Sequence, residues 1–276
     1  TDQHAIIQSG HNVTINANDE VKSLSIQGGG TLTGNSSYSI TVNGEGNSTY
    51  GTNHYAIDLD GVIGTNVKLI LTYNGTTALD LAGSSGTVNS LTINHADCVA
   101  NLETTGSLAG DLTITAGEFR TNNNALTVNG STTGAGTLAL GNSTYTGNGS
   151  GHLSMLGTVT IGTSGVITGV DQLGENGSGG GTITCTGSPT LGCERWRQLA
   201  SKWTPATSTI KVEDASNSWQ DSVYGVPYNF EIDNAGNTNE LAGTFNVTNN
   251  LTITAGTLST GSTGRAMTVG GDVSVT

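Results

Sequence analysis

The sequence predicts an all-β fold, a single-stranded parallel β-helix (β-solenoid) whose coils are about 20 residues long. Three observations predict it. Near-identical units recur along the chain: residues 23–44 read SLSIQGGGTLTGNSSYSITVNG, residues 111–130 read DLTITAGEFRTNNNALTVNG, and residues 250–271 read NLTITAGTLSTGSTGRAMTVGG, with LTITAG verbatim at 112–117 and 251–256. Within each unit Leu, Ile and Val alternate with Thr or Ser, the period of a strand with one apolar face. Composition agrees: 42 Gly, 11% charged and 5% aromatic residues leave Thr, Ser, Asn and Gly to cover the surface.

Taken in order, Ile6–Ile7 and then Val13 and Ile15 open the pattern almost at the first residue. Leu24, Ile26, Leu32, Ile40 and Val42 carry it through the first full unit, and partial copies follow at 90–94 and 157–161. Gly and Asn clusters close each strand, because they accept the positive φ that turns the chain into its next side. Thr favours the outer face because its β-branch prefers extended backbone. Coils stacked ~4.8 Å apart would pair each backbone amide with a neighbour above or below. This predicts solenoid coils over 1–184, an atypical segment or loop over 185–233, and further coils over 234–276 that end in an open edge strand.

The 185–233 window holds all three prolines (Pro189, Pro205, Pro227), all three tryptophans (Trp196, Trp203, Trp219) and half of the basic residues. Physically it reads as a hairpin or loop laid over the solenoid, with tryptophans covering strand edges. Functionally, Trp196, Trp203, Trp219, Tyr224 and Tyr228 are the residue types that dominate binding hot spots, and exposed aromatics also stack on sugars. Cys185 and Cys193 flank a turn-rich stretch that would close a small disulfide ring in an oxidising setting. Cys98 has no evident partner and reads as a small buried apolar residue.

The order WTPATSTI at 203–210, YNFEI at 228–232 and then LTITAG coils resembles the Thr/Gly/Asn-rich repeats of large secreted bacterial and archaeal surface proteins. The resemblance covers about half of the chain; the basic entry CERWRQLASK departs from it. It implies a right-handed parallel β-helix exposed outside the cell.

A formal charge of −13, from 8 basic and 21 acidic residues, lacks the footprint that nucleic-acid binding needs and disfavours anionic membrane surfaces. No run of ~18 apolar residues is present, so no membrane insertion is expected. Thr1 in place of Met fits a processed, secreted chain. Ten Asn-x-Ser/Thr sequons fit an extracellular surface: Asn12, Asn35, Asn47, Asn74, Asn129, Asn142, Asn148, Asn176, Asn246 and Asn250.

Because some β-helices cleave polysaccharides, paired carboxylates matter. The candidates are Asp58 and Asp60 in AIDLDG, with Asp80 one coil later. No His or Arg lies near them in a pattern that would poise a pKa. Asp-x-Asp-Gly is half of a calcium loop, but its twelfth position is Leu69, not Glu. The five histidines are scattered singly. The expectation is therefore no enzyme, no cofactor and no metal.

Both ends read as strands, with Ile6, Ile7, Val13 and Ile15 at one and Met267, Val269, Val273 and Val275 at the other. Unlike sticky ends generate an open filament by head-to-tail contact. The leading expectation is a homopolymer of copies of this chain, a subunit of an extracellular filament, sheath or surface assembly. The alternative is an adhesin that binds glycans or cell-surface proteins through the Trp-rich segment.

Overall fold

The computed structural model of the chain describes residues 3–44, 55–83, 85–174, 180–197, 200–213, 226–241 and 243–276. Parallel strands wind into a β-solenoid of about 11 turns with coils of roughly 21 residues. Among the described residues the only helical element is a 3-10 turn at Ala200–Lys202. No helix among them is long and apolar enough to cross a membrane. The chain divides into two compact units, Thr1–Ala139 and Leu140–Thr276.

In the first unit His4–Ile7, Ser23–Ile26, Tyr55–Leu59 and Thr76–Asp80 stack in parallel register, continued by residues 99–102. A second ladder runs from Asp19–Val21 through Ile40–Val42 and Lys68–Leu71 to residues 91–93 and 112–114. The in-register pairing converts sequence alternation into columns. Leu24, Ile57, Leu79 and Leu102 lie one over another, as do Val42, Leu71, Ile93 and Ile114, and all eight are buried. Each such side chain removed from water stabilises by ~1.5–3 kcal/mol.

The second unit follows the same plan. Residues 145, 167, 191, 210, 230, 251 and 273 form one inward column, Tyr145–Ile167–Leu191–Ile210–Phe230–Leu251–Val273. Phe230 and Phe245 meet edge to face, ring centroids 4.9 Å apart, an arrangement that suits the aromatic quadrupole.

The verbatim hexapeptide has a local cause. Gly117 and Gly256 take φ of +83° and +91°, and a Cβ there would lie 2.4 Å from the His95 carbonyl oxygen and 2.3 Å from that of Asn234. Only glycine fits both the dihedral and the neighbouring coil.

Two expectations about residues 185–233 are corrected where that window is described. It is not a loop laid over the solenoid: Thr190–Trp196, Thr209–Glu213 and Asn229–Glu240 are consecutive rungs of one ladder. Trp196 stacks in register with Leu173 and Trp203 with Ile183. Trp196 and Trp203 therefore fill the interior and do not cover strand edges. Trp219 and Tyr224 lie outside the described residues.

Replacing Ile57 by Ala opens a cavity between Leu24 and Leu79, flanks that stay fixed because their backbones are hydrogen-bonded. Ile57→Ala is expected to lower stability by ~2–5 kcal/mol, measured by chemical denaturation followed with circular dichroism.

Candidate functional site

The acidic group singled out in the sequence comes together in space. Asp58 and Asp80 stand directly opposite on neighbouring strands, with Ser25 opposite Asp58 on the other side. Asp60 follows at the end of the same strand, and carboxylate oxygens of all three lie within 4.8 Å of one another. Asp80 is held in place: its Oδ1 accepts hydrogen bonds from the Ala82 amide at 2.9 Å and the Thr104 hydroxyl at 2.6 Å. Burial, then the charges of Asp60 and Asp80, push the Asp58 carboxyl up to about 6. Tyr55 on the same strand is raised by burial and by the neighbouring carboxylates.

Oxygen ligands of this kind suit a hard cation, and Asp58, Asp60 and Asp80 are the residues here that could hold one. Calcium takes six to eight oxygens, so three carboxylates supply part of a shell.

A carboxyl raised from its ordinary 3.8 to about 6 stays protonated in the folded chain while it ionises in the unfolded one. Stability therefore falls as pH rises through that window and levels off above it. Asp58→Asn removes the like-charge contact. It is expected to stabilise by ~1–2 kcal/mol at pH 8, after discounting for solvent screening, and by little at pH 4. Denaturation curves of both chains at the two pH values check this.

The cysteine expectation is corrected: Cys98, Cys185 and Cys193 are free, buried thiols. Cys185 stands opposite Ile161, whereas Cys193 lies between Val170 and Val212. Both occupy inward rungs on successive strands of one coil, where an apolar neighbour above or below is the contact made. Burial pushes Cys98 up to about 11 and Cys185 up to about 12, and raises Cys193 as well. A thiol reagent is expected to label none of the three in the native protein at pH 8 and all three in denaturant, read by mass spectrometry.

Two of the aromatics proposed for binding, Trp196 and Trp203, are not available as a surface. Trp196 is 0% and Trp203 7% exposed, and their rings pack edge to face with centroids 4.8 Å apart. Tyr228 is half-buried. The Trp-based adhesin loses two of its three tryptophans.

Two charged groups escaped the sequence reading. The Asp171 carboxylate accepts from Arg195 Nε at 3.0 Å and pairs with His152 Nε2 at 2.9 Å. Lys211 Nζ sits 2.8 Å from Asp233, 3.8 Å from Glu213 and 3.9 Å from Glu231. Glu213 also reaches across Gly192 to accept the Thr168 hydroxyl at 2.7 Å; a Cβ on Gly192 would lie 2.4 Å from that carboxylate. Apart from Glu213, which shares the strand of Lys211, the partners are about one or two coils apart in sequence, so only coil-length spacing could have revealed them. Each group joins opposite charges on neighbouring rungs.

No family model, curated protein or solved structure matches the chain. The fold and the side chains alone bear on function.

Among the sequons, Asn12, Asn74, Asn129, Asn142, Asn148 and Asn246 are exposed, and Asn35 and Asn250 half-buried. Asn47 and Asn176 lie outside the described residues. Several serve the backbone: Asn35, Asn142, Asn148 and Asn250 accept amide hydrogen bonds from Ser37, Ser164, Ser150 and Asp272 at 2.9–3.1 Å.

At the positions expected as assembly edges, among the described residues, His4–Ile7, Asn12–Thr14 and Asp19–Val21 pair in parallel with Ser23–Ile26, Thr31–Thr33 and Ile40–Val42, and Met267–Val269 and Val273–Val275 with Phe245–Val247 and residues 251–253. Ile7 and Ile15 are buried; Ile6, Met267 and Val269 are half-buried. Val13, Val273 and Val275 are 44%, 60% and 73% exposed.

Proposed function

We propose that this protein is an extracellular structural component, a subunit of a filament, sheath or surface assembly that joins head to tail through its edge strands. The observation that carries this reading is the parallel ladder of successive coils, in which the backbone of each coil is the template for the next. An unpaired parallel strand with an apolar inner face is a template for strand addition. The low charge and Thr, Asn and Gly-rich surface, with the resemblance to secreted surface repeats, support an extracellular setting. The acidic trio of Asp58, Asp60 and Asp80 is read as a feature of the outer face, and no catalytic role is assigned to it.

The purified chain is expected to form unbranched fibres at high concentration, seen by negative-stain electron microscopy. Deleting residues 266–276, which removes the strands Met267–Val269 and Val273–Val275, is expected to abolish them. A wild-type chain that stays monomeric throughout a concentration series contradicts the reading.

A further inference from the structure

Within the second unit, three successive rungs gather charge on one outer face. His152 stands opposite Gln172 and Gln172 opposite Arg195, while Leu153, Leu173 and Trp196 form the column beside them. Arg197 carries the ladder one place further, its amide donating to the Leu173 carbonyl at 2.9 Å. The alternation that sends Trp196 inward sends Arg195 and Arg197 outward.

The two arginines are treated differently. Both oxygens of the Asp171 carboxylate are already engaged: Oδ1 accepts Arg195 Nε at 3.0 Å, and Oδ2 faces Arg195 Nη2 and, at 2.9 Å, His152 Nε2. Arg197 is left with Gln172, whose Oε1 lies 3.4 Å from Arg197 Nη1 and whose Nε2 donates to the Gly174 carbonyl at 3.0 Å. One step past the Leu173–Trp196 pair, the residue abreast of Arg197 is Gly174, which brings no side chain. The Arg197 Nε is buried and meets no acceptor. Among the described residues Arg120, Arg195 and Lys211 each meet a carboxylate. Arg197, although half-buried, meets none of theirs.

A cation drawn partly out of water without a counter-charge loses hydration and gains nothing in exchange. A guanidinium offers five N–H donors, and here one long bond to a neutral amide uses one of them. We propose that Arg197 anchors an anion site that takes the carboxylate of a small acidic ligand. The planar fork of a guanidinium matches a carboxylate in a bidentate pair. One uncompensated guanidinium neutralises one negative charge, and a chain of formal charge −13 repels a polyanion. The ligand is therefore a monoanion, borne by a sugar acid or by an acidic amino-acid side chain. The site does not depend on assembly into a filament.

The test titrates isotope-labelled protein with galacturonate and, separately, with N-acetylaspartate amide, following the arginine side-chain N–H signals by NMR. Saturation with Kd of about 1 mM is expected for at least one of them, and the tighter of the two names the bearer. Arg197→Gln is expected to weaken binding tenfold or more, as loss of a charge-assisted bond does. Arg197→Lys keeps the charge but not the fork and is expected to weaken it several-fold; it decides the matter if Arg197→Gln does not fold. Arg265→Gln, at an exposed position, is expected to bind as wild type does. In chemical denaturation, Arg197→Gln is expected to unfold at the wild-type midpoint or above it, since no internal ion pair is lost. The site is overturned if neither carboxylate binds, if inorganic phosphate binds more tightly than both, or if Arg197→Gln or Arg197→Lys binds as well as wild type. A folded Arg197→Gln with a lowered midpoint overturns it too, because the guanidinium is then paired within the chain.

Discussion

A coil of about 21 residues encloses too little apolar surface to fold alone, and its backbone polar groups need partners that the coil itself does not contain. Parallel hydrogen bonding between successive coils answers both demands together. Once Leu24, Ile57 and Leu79 share a register, the positions that follow them align as well, Ser25 with Asp58 and Asp58 with Asp80. Irregularities such as the shifts after Ile93 and Ile232 fall within the strands, and the ladder resumes beyond them. The constraint is strict enough to recruit unusual residues: Trp196, Trp203 and Cys193 are interior because the ladder places them there, next to Leu173, Ile183 and Val212.

That constraint also explains what was legible in the sequence. Alternating Leu, Ile and Val with Thr, repeated at coil length, reports fold class, coil length and inward positions, because strand period and coil period are both written in apolar residues. Gly117 and Gly256 made two coils read alike, since each faces a carbonyl of the coil beneath. The 185–233 window misled because composition was taken as a sign of architecture. Large aromatics there change the volume of the interior without changing the register. The paired cysteines misled for a related reason, as their distance along the chain says nothing about the direction in which consecutive strands aim their side chains.

Charged groups were the least legible part. The gathering of Asp58, Asp60 and Asp80 was half visible, because two of them lie on one strand. The His152–Asp171–Arg195 and Lys211–Asp233 groups were not, because each is assembled across coils from residues with no common motif. In a solenoid, outward side chains at equal positions of neighbouring coils stand about 4.8 Å apart. Charge is therefore read vertically, and a single stretch of sequence does not display it.

Gly192 differs from the glycines that turn the chain. It lies within a strand, and the space it leaves is filled by Glu213 on its way to Thr168, so one side chain braces three successive coils. Gly192 and Glu213 are consequently a single inherited trait, to be kept or lost together. Any relative with a bulkier residue at the first position should carry a shorter or uncharged one at the second. Such linked exchange, about one coil apart, would identify kin of this chain where overall likeness has faded.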